Sequence, residues 1–147
     1  SVVMLGKMAS GALVKIRVDM LSDRPHAMNN YQLQGTDGAY ESARAPGERH
    51  RVWLRAKNPA RDRWLDLIEF EEYLPEAWRR DEAHAQAAGH GGGDYYVVAD
   101  FVRAVREGTP PAVDIDAAMD MTLPGLVSQQ SIAEGGRWLP VPDSRQW

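Results

Sequence analysis

Ser1-Val2-Val3-Met4-Leu5-Gly6-Lys7-Met8, then Ala9-Ser10-Gly11, then Ala12-Leu13-Val14-Lys15-Ile16-Arg17-Val18-Asp19-Met20-Leu21, is the stretch that decides the fold. Two runs of strand-forming residues flank a turn of small residues, which is the pattern of a β-hairpin. In the second run Leu13, Lys15, Arg17 and Asp19 alternate with Val14, Ile16, Val18 and Met20. A period of two puts a mainly polar set on one face and an apolar set on the other, so one side is expected to face a core. The chain enters this strand directly, with no Met, cap or turn before it, and so reads as one joined midway.

Working outward, residues 30–34 form a third expected strand, closed by Gly35-Thr36-Asp37-Gly38, and residues 39–43 a fourth before Pro46-Gly47. The first forty residues therefore predict an antiparallel meander. Residues 51–72 mix Trp53, Trp64 and Phe70 with charges and carry Asn58-Pro59, predicting short strands or irregular loop rather than a long helix. Pro75 suits a first helical turn, and residues 76–88 are rich in helix formers up to Gly89. Asp94 is placed to cap a helix in which Tyr95, Val98, Val102 and Val105 recur at helical spacing, ended by Gly108-Thr109-Pro110-Pro111. Asp114 is placed to cap another, reaching Glu134 with Ile115, Ala118, Thr122, Leu126 and Val127 inward and a kink at Pro124-Gly125. Residues 137–141 follow as a strand or extended tail. Strands first and helices after define an α+β class, read as one domain over residues 1–147.

Composition narrows the function classes. The 147 residues are 44% hydrophobic and 26% charged, enough apolar material for a packed core. With 21 acidic against 17 basic side chains the net charge is −4, which gives no basic stripe for nucleic acid. No apolar run is long enough to span a bilayer, and no secretory leader pattern opens the chain. The absence of cysteine excludes disulfides, thiolate metal sites and thiol catalysis, and agrees with a cytoplasmic location.

The chemistry centres on Gly89-His90-Gly91-Gly92-Gly93-Asp94. A dinucleotide fingerprint follows a buried parallel strand, whereas a helix precedes this run, so cofactor binding by the loop is disfavoured. Two readings stand: a plain helix-to-helix connection that uses glycine freedom, or a loop that presents His90 to a ligand for proton exchange near neutrality. His26, after Asp23-Arg24-Pro25, lies in a loop able to present it. His50 and His84 read as surface residues. No two histidines have the spacing of a helical zinc site, so no metal is expected. Tyr95 reads as core by its spacing and Tyr96 stays open, while Glu69, Glu71 and Glu72 read as a solvated charged edge.

Taken in order, the hairpin, Ser22-Asp23-Arg24-Pro25-His26, Gln34-Gly35-Thr36-Asp37-Gly38, Gly89-His90-Gly91-Gly92 with Asp94, Asp100-Phe101, and Gly108 through Asp116-Ala117 resemble the carboxy-terminal domain of Gfo/Idh/MocA oxidoreductases. The resemblance spans most of the chain. The Gly-His-Gly-Gly segment and the closing Val141-Pro142-Asp143 are similar to the branch of NAD-dependent α-N-acetylgalactosaminidase-type glycosidases. The resemblance implies an open, mostly antiparallel sheet with helices on one face and a sheet face that pairs subunits into a homo-oligomer. It also implies an upstream Rossmann domain, outside this chain, that holds NAD or NADP. His90 then contacts a sugar hydroxyl near the nicotinamide and is the implied catalytic residue, with Arg24, His26 and Tyr96 beside it as substrate-binding residues. His26 departs from the glycosidase branch, where Arg-Pro is followed by Tyr. The leading expectation is accordingly an intact enzyme that oxidises a sugar or polyol by hydride transfer. The alternatives are a glycosidase that cleaves by elimination after transient oxidation, and a carbohydrate-binding or dimerisation module without chemistry.

Overall fold

In a computed structural model the described residues are 1–25 and 29–147. They form two compact units, one of residues 1–23 with 88–147 and one of residues 24–87. The architecture is α+β with open antiparallel sheets, as the strand-then-helix order predicts.

In the first unit β1 (Val2–Lys7) pairs antiparallel with β2 (Leu13–Val18), Val2 opposite Val18 and Lys7 opposite Leu13. The expected small-residue turn closes it: Met8 N–H donates to the Ala12 carbonyl at 2.8 Å, and Gly11 takes φ +88°, a value that costs glycine little. Register puts Met4 and Gly6 on the same face as Ile16 and Val14, the face the alternation assigns to a core. That face is only partly covered. Met4, Gly6 and Val14 are half-buried, but Ile16 remains 47% exposed.

Two helices complete this unit. α3 (Gly93–Glu107) ends at Gly108, whose φ of +65° and N–H bond to the Ala104 carbonyl make a left-handed stop. The helix is where the spacing predicts it, but the stripe meant to be inward is not: Val98 is 60% and Val105 67% exposed, and Ala104 is the buried position. Periodicity establishes an amphipathic helix and cannot supply the surface that covers it. α4 (Ile115–Ala133) starts as expected, with the Asp114 carboxylate accepting from Ala117 N–H at 2.8 Å. It runs through Pro124 without a break. Leu123 is buried, and Val127 and Ala118 are half-buried as expected, whereas Ile115, Thr122 and Leu126 are exposed. Pro124, Val127 and Ser131 of α4 line a cavity of about 260 Å³ with Val2 and Met4 of β1. Residues 137–141 form no strand. They leave α4 through Gly135 and Gly136, both at positive φ, and Ser131 Oγ donates to the Arg137 carbonyl at 2.6 Å. Arg145 then ties the tail back, reaching Asp120 at 2.6 Å and Asp143 at 3.1 Å.

The second unit is the meander. β3 (Gln32–Gln34), β4 (Gly38–Glu41), β5 (Arg51–Leu54) and β6 (Leu65–Asp66) lie in sequence order, every pair antiparallel. The hairpin expected to lead into it stands as a separate two-stranded sheet. Among the described residues of this unit Ala39, Val52 and Ala85 are the buried apolar positions. Gly38 opens β4 opposite Leu54 of β5, and a Cβ there would sit 3.0 Å from Leu54 Cδ2. Residues 51–72 resolve into β5, β6 and a 3-10 turn, Leu67–Tyr73. Glu69, read from sequence as a solvated edge, helps to cap that turn. Its carboxylate accepts from Asp66 N–H at 3.0 Å while the Asp66 carboxylate accepts from Ile68 N–H. The single helix expected over residues 76–88 is two, α1 (Glu76–Arg80) and α2 (Glu82–Ala85), because Asp81 leaves helical geometry at φ −99°, ψ 8°.

Candidate functional site

The Gly89–Asp94 run is a built turn rather than slack chain. After Gly89, His90, Gly91 and Gly92 take φ of +52°, +67° and +96° in succession before α3 begins at Gly93. Two of the three are glycines, for which this region is open; His90 adopts it against the preference of a residue with a Cβ. A residue held at such a φ is kept there by its surroundings, and such positions gather at sites of function. The surroundings are on hand. Gly92 N–H donates to the Gly89 carbonyl at 3.1 Å, and His90 Nδ1 lies 2.9 and 3.1 Å from the two carboxylate oxygens of Asp94.

This contact decides the chemistry of the ring. A carboxylate only accepts, so Nδ1 carries the proton and donates, and in the neutral imidazole Nε2 is left with its lone pair. With the His90 side chain 75% exposed, Nε2 is available to a ligand as a proton acceptor or a hydroxyl-orienting group. Asp94 sits in the first turn of α3, where the helix dipole favours a negative charge. Gly89 is required by the same geometry: a Cβ there would lie 2.5 Å from Asp94 Oδ2.

Of the residues the sequence reading assigns to substrate, His90 and Tyr96 share this loop-to-helix junction. Tyr96 is half-buried, its ring edge-on to Tyr95 at 5.4 Å between centroids. Arg24 is exposed at a bend and belongs to the other compact unit. His26 lies outside the described residues. Asp94, taken from sequence as a helix cap, is the side chain that meets the imidazole; the cap position belongs to Gly92, and the carboxylate turns to His90 instead. The signal was present in the sequence as a His and an Asp four apart across a glycine run. His50 is exposed as expected, with its ring stacked on Tyr40 at 6.1 Å between centroids and its Nδ1 2.8 Å from Tyr40 Oη.

Elsewhere several carboxylates are held by hydrogen bonds and ion pairs within the fold. The Ser22 hydroxyl, with the Leu21 N–H and Arg17, lowers the Asp19 carboxyl to a pKa of about 2. Arg49 holds Asp66 below the usual carboxylate range, Arg145 does the same for Asp120, and the Arg145 N–H and guanidinium lower Asp143. Among the described residues no three His, Asp or Glu side chains gather as a metal set, and no helix is long and apolar enough to cross a membrane.

The open antiparallel α+β architecture agrees with a Gfo/Idh/MocA-type carboxy-terminal domain, the class that the family match assigns. Residues 2–146 match the sequence family described as the C-terminal domain of glycosyl hydrolase 109. The chain belongs to that family. It is 34% identical over 143 residues to an alpha-N-acetylgalactosaminidase of Tannerella forsythia, covering 93% of this chain and 28% of that one. A glycosyl hydrolase family 109 protein of Parabacteroides distasonis is 33% identical over 139 residues, 93% of this chain and 28% of its own. Another, of Saccharopolyspora erythraea, is 30% identical over 134 residues, 91% of this chain and 27% of its own. The chain thus spans little more than a quarter of the length of these relatives.

Proposed function

We propose that this chain forms the sugar-facing wall of a glycosidase, with His90 as its acid–base residue and Asp94 as the residue that orients it. The observation that carries the reading is the His90–Asp94 contact at 2.9 Å, which fixes the tautomer and points a basic nitrogen away from the protein's own hydrogen bonds. Tyr96, at the same junction, is assigned to the substrate with it; Arg24 and His26 keep that assignment on the strength of the resemblance alone.

The family relationship and the alpha-N-acetylgalactosaminidase among the relatives support a glycosidase over a net oxidoreductase, and an N-acetylgalactosaminide as the substrate to try first. NAD or NADP, which the family resemblance implies for the whole protein, does not fit the residues of this chain. Every described strand pair is antiparallel, and the glycine turn follows a helix, so no strand feeds a dinucleotide-binding turn. Such a cofactor would be held outside the chain, and no step assigned here passes through it.

The test is turnover of a chromogenic α-N-acetylgalactosaminide by the intact protein. Release of the aglycone without accumulation of reduced nicotinamide is expected, whereas stoichiometric reduced nicotinamide would return the reading to a sugar oxidoreductase. His90→Ala should lower kcat by about 10²–10⁴-fold, the range of a positioned acid–base group. An unchanged kcat removes His90 from the chemistry. Subunit pairing through a sheet face is part of the same proposal, and native mass spectrometry of the intact protein reads it directly.

A further inference from the structure

The four-stranded sheet carries an open cleft of about 470 Å³, built wholly within residues 34–64 and lined by Gln34, Thr36, Trp53, Arg61, Arg63 and Trp64, with Arg55 and Asp62 at its side. Its volume lies in the range of small-molecule sites. We propose that this cleft binds an acidic sugar, a single pyranose ring carrying one carboxylate.

Charge selects a monoanion. Arg55 is already balanced by Asp37, its Nε 2.7 Å from Oδ1, while Arg61 and Arg63 have no carboxylate partner among the described residues. Setting these two guanidiniums against Asp62 leaves one positive charge in the cleft of a chain whose net charge is −4. A guanidinium fork matches carboxylate and phosphate geometry alike, and of the two a carboxylate carries the single charge that the cleft balances, which a phosphate monoester exceeds.

Shape selects a ring. Trp53 and Trp64 both line the cleft; a guanidinium already covers one face of each ring, Arg55 5.8 Å from the Trp53 centroid and Arg51 5.6 Å from that of Trp64, and the opposite indole face is the one that would pack against the C–H face of a pyranose. The hydroxyls of such a ring meet Gln34, whose Nε2 is turned to the Gly35 carbonyl so that Oε1 remains to accept, and the Thr36 hydroxyl.

The wall is preorganised. Buried Asn58 accepts from Trp53 Nε1 at 2.9 Å through its carbonyl and donates from Nδ2 to the Arg63 carbonyl at 2.8 Å, which pins the loop to the sheet. That pinning sets the indole of Trp53 and places Arg61, at φ +57°, between the two fixed points. The pinned backbone lowers the cost of ordering the wall, and the exposed Arg61 and Arg63 side chains bear what remains of it.

The inference stands apart from the glycosidase reading because it is read out by binding, with His90 intact. Tryptophan fluorescence and calorimetric titration of the intact protein with glucuronate, glucose and AMP at low salt provide the test. Glucuronate is expected to saturate at least about tenfold more tightly than glucose, the worth of one charge-assisted hydrogen-bonded pair, and to weaken as salt is raised. AMP carries more negative charge than the cleft balances and should bind more weakly than glucuronate. Trp64→Ala and Arg63→Gln should each weaken glucuronate about tenfold, Asp62→Asn should tighten it, and His90→Ala should leave it unchanged. Arg63 is exposed, so Arg63→Gln reads the cleft even where loss of Trp64 disturbs folding. Glucose binding as tightly as glucuronate, AMP binding more tightly, or glucuronate affinity that survives Arg63→Gln overturns the proposal.

Discussion

Replacing Gly89 by Ala separates the machinery of the candidate site from the stability of the fold. Gly89 has φ −65° and ψ 167°, a conformation that alanine adopts freely, so the backbone itself resists nothing. The added methyl would lie 2.5 Å from Asp94 Oδ2, roughly 1 Å inside ordinary contact. The obstructing atom is the end of a side chain that is 55% exposed, and the cheapest relief is for the carboxylate to swing away. Swinging away breaks the 2.9 Å contact to His90 Nδ1 and frees the imidazole to take either tautomer. Stability should change by less than about 1 kcal/mol, because an exposed pair contributes about 0–1 kcal/mol and alanine offsets part of that by restricting the unfolded chain. Turnover should fall by about tenfold or more, since misorienting a base costs far more in the reaction than in folding. The assay pairs a urea titration with kcat on the chromogenic sugar in the intact protein. Gly91→Ala is the converse control: nothing lies within 4 Å of its Cβ, but φ is +67°, so its loss of about 1–2 kcal/mol should appear in the urea midpoint. A Gly89→Ala protein with wild-type kcat would refute the claim that Asp94 orients His90.

Acid should weaken both units. Asp19, Asp66, Asp120 and Asp143 have folded-state pKa values below those of the unfolded chain, so their stabilisation is present above about pH 4 and is lost as pH falls through the folded values, for Asp19 down to about 2. Urea midpoints measured from neutral to acid pH should drop most steeply below about pH 4, and Arg145→Gln should flatten that drop; a midpoint independent of pH there contradicts the ion-pair assignments. Asp114→Ala, which removes the cap accepting from Ala117 N–H, should cost about 1 kcal/mol by the same titration without altering sugar turnover. Asn58→Ala removes a buried side chain and its 2.8 Å bond to the Arg63 carbonyl and should cost about 1–3 kcal/mol, visible as a lower midpoint and weaker glucuronate binding together.

How much of this was legible in the sequence depends on the range over which each feature is decided. The hairpin turn, the Asp114 cap and the Gly108 stop rest on residues within a few positions of one another, and all three stand where their sequence signals put them. The break falls at Asp81, a poor helix former that favours caps, and one such residue in a run otherwise rich in helix formers does not by itself predict an interruption. The glycine turn singled out His90, but the cap preference of aspartate concealed that Asp94 turns to the imidazole rather than to the backbone.

What the sequence by itself determined is the class and the chemistry on offer: an α+β chain without thiols, with a histidine in a glycine turn and a family pattern over most of its length. Those properties follow from composition and short-range spacing, which every conformation of the chain shares. Tertiary structure alone decided which faces are covered and which distant residues meet. Val98 and Val105 obey helical spacing and still face outward, because burial depends on what lies opposite and not on the period of the helix. Trp53, Arg61, Arg63 and Trp64 look in sequence like an irregular charged segment, and become one cleft because the antiparallel pairing of β5 with β6 and the Asn58 bonds fold the loop back onto its own sheet.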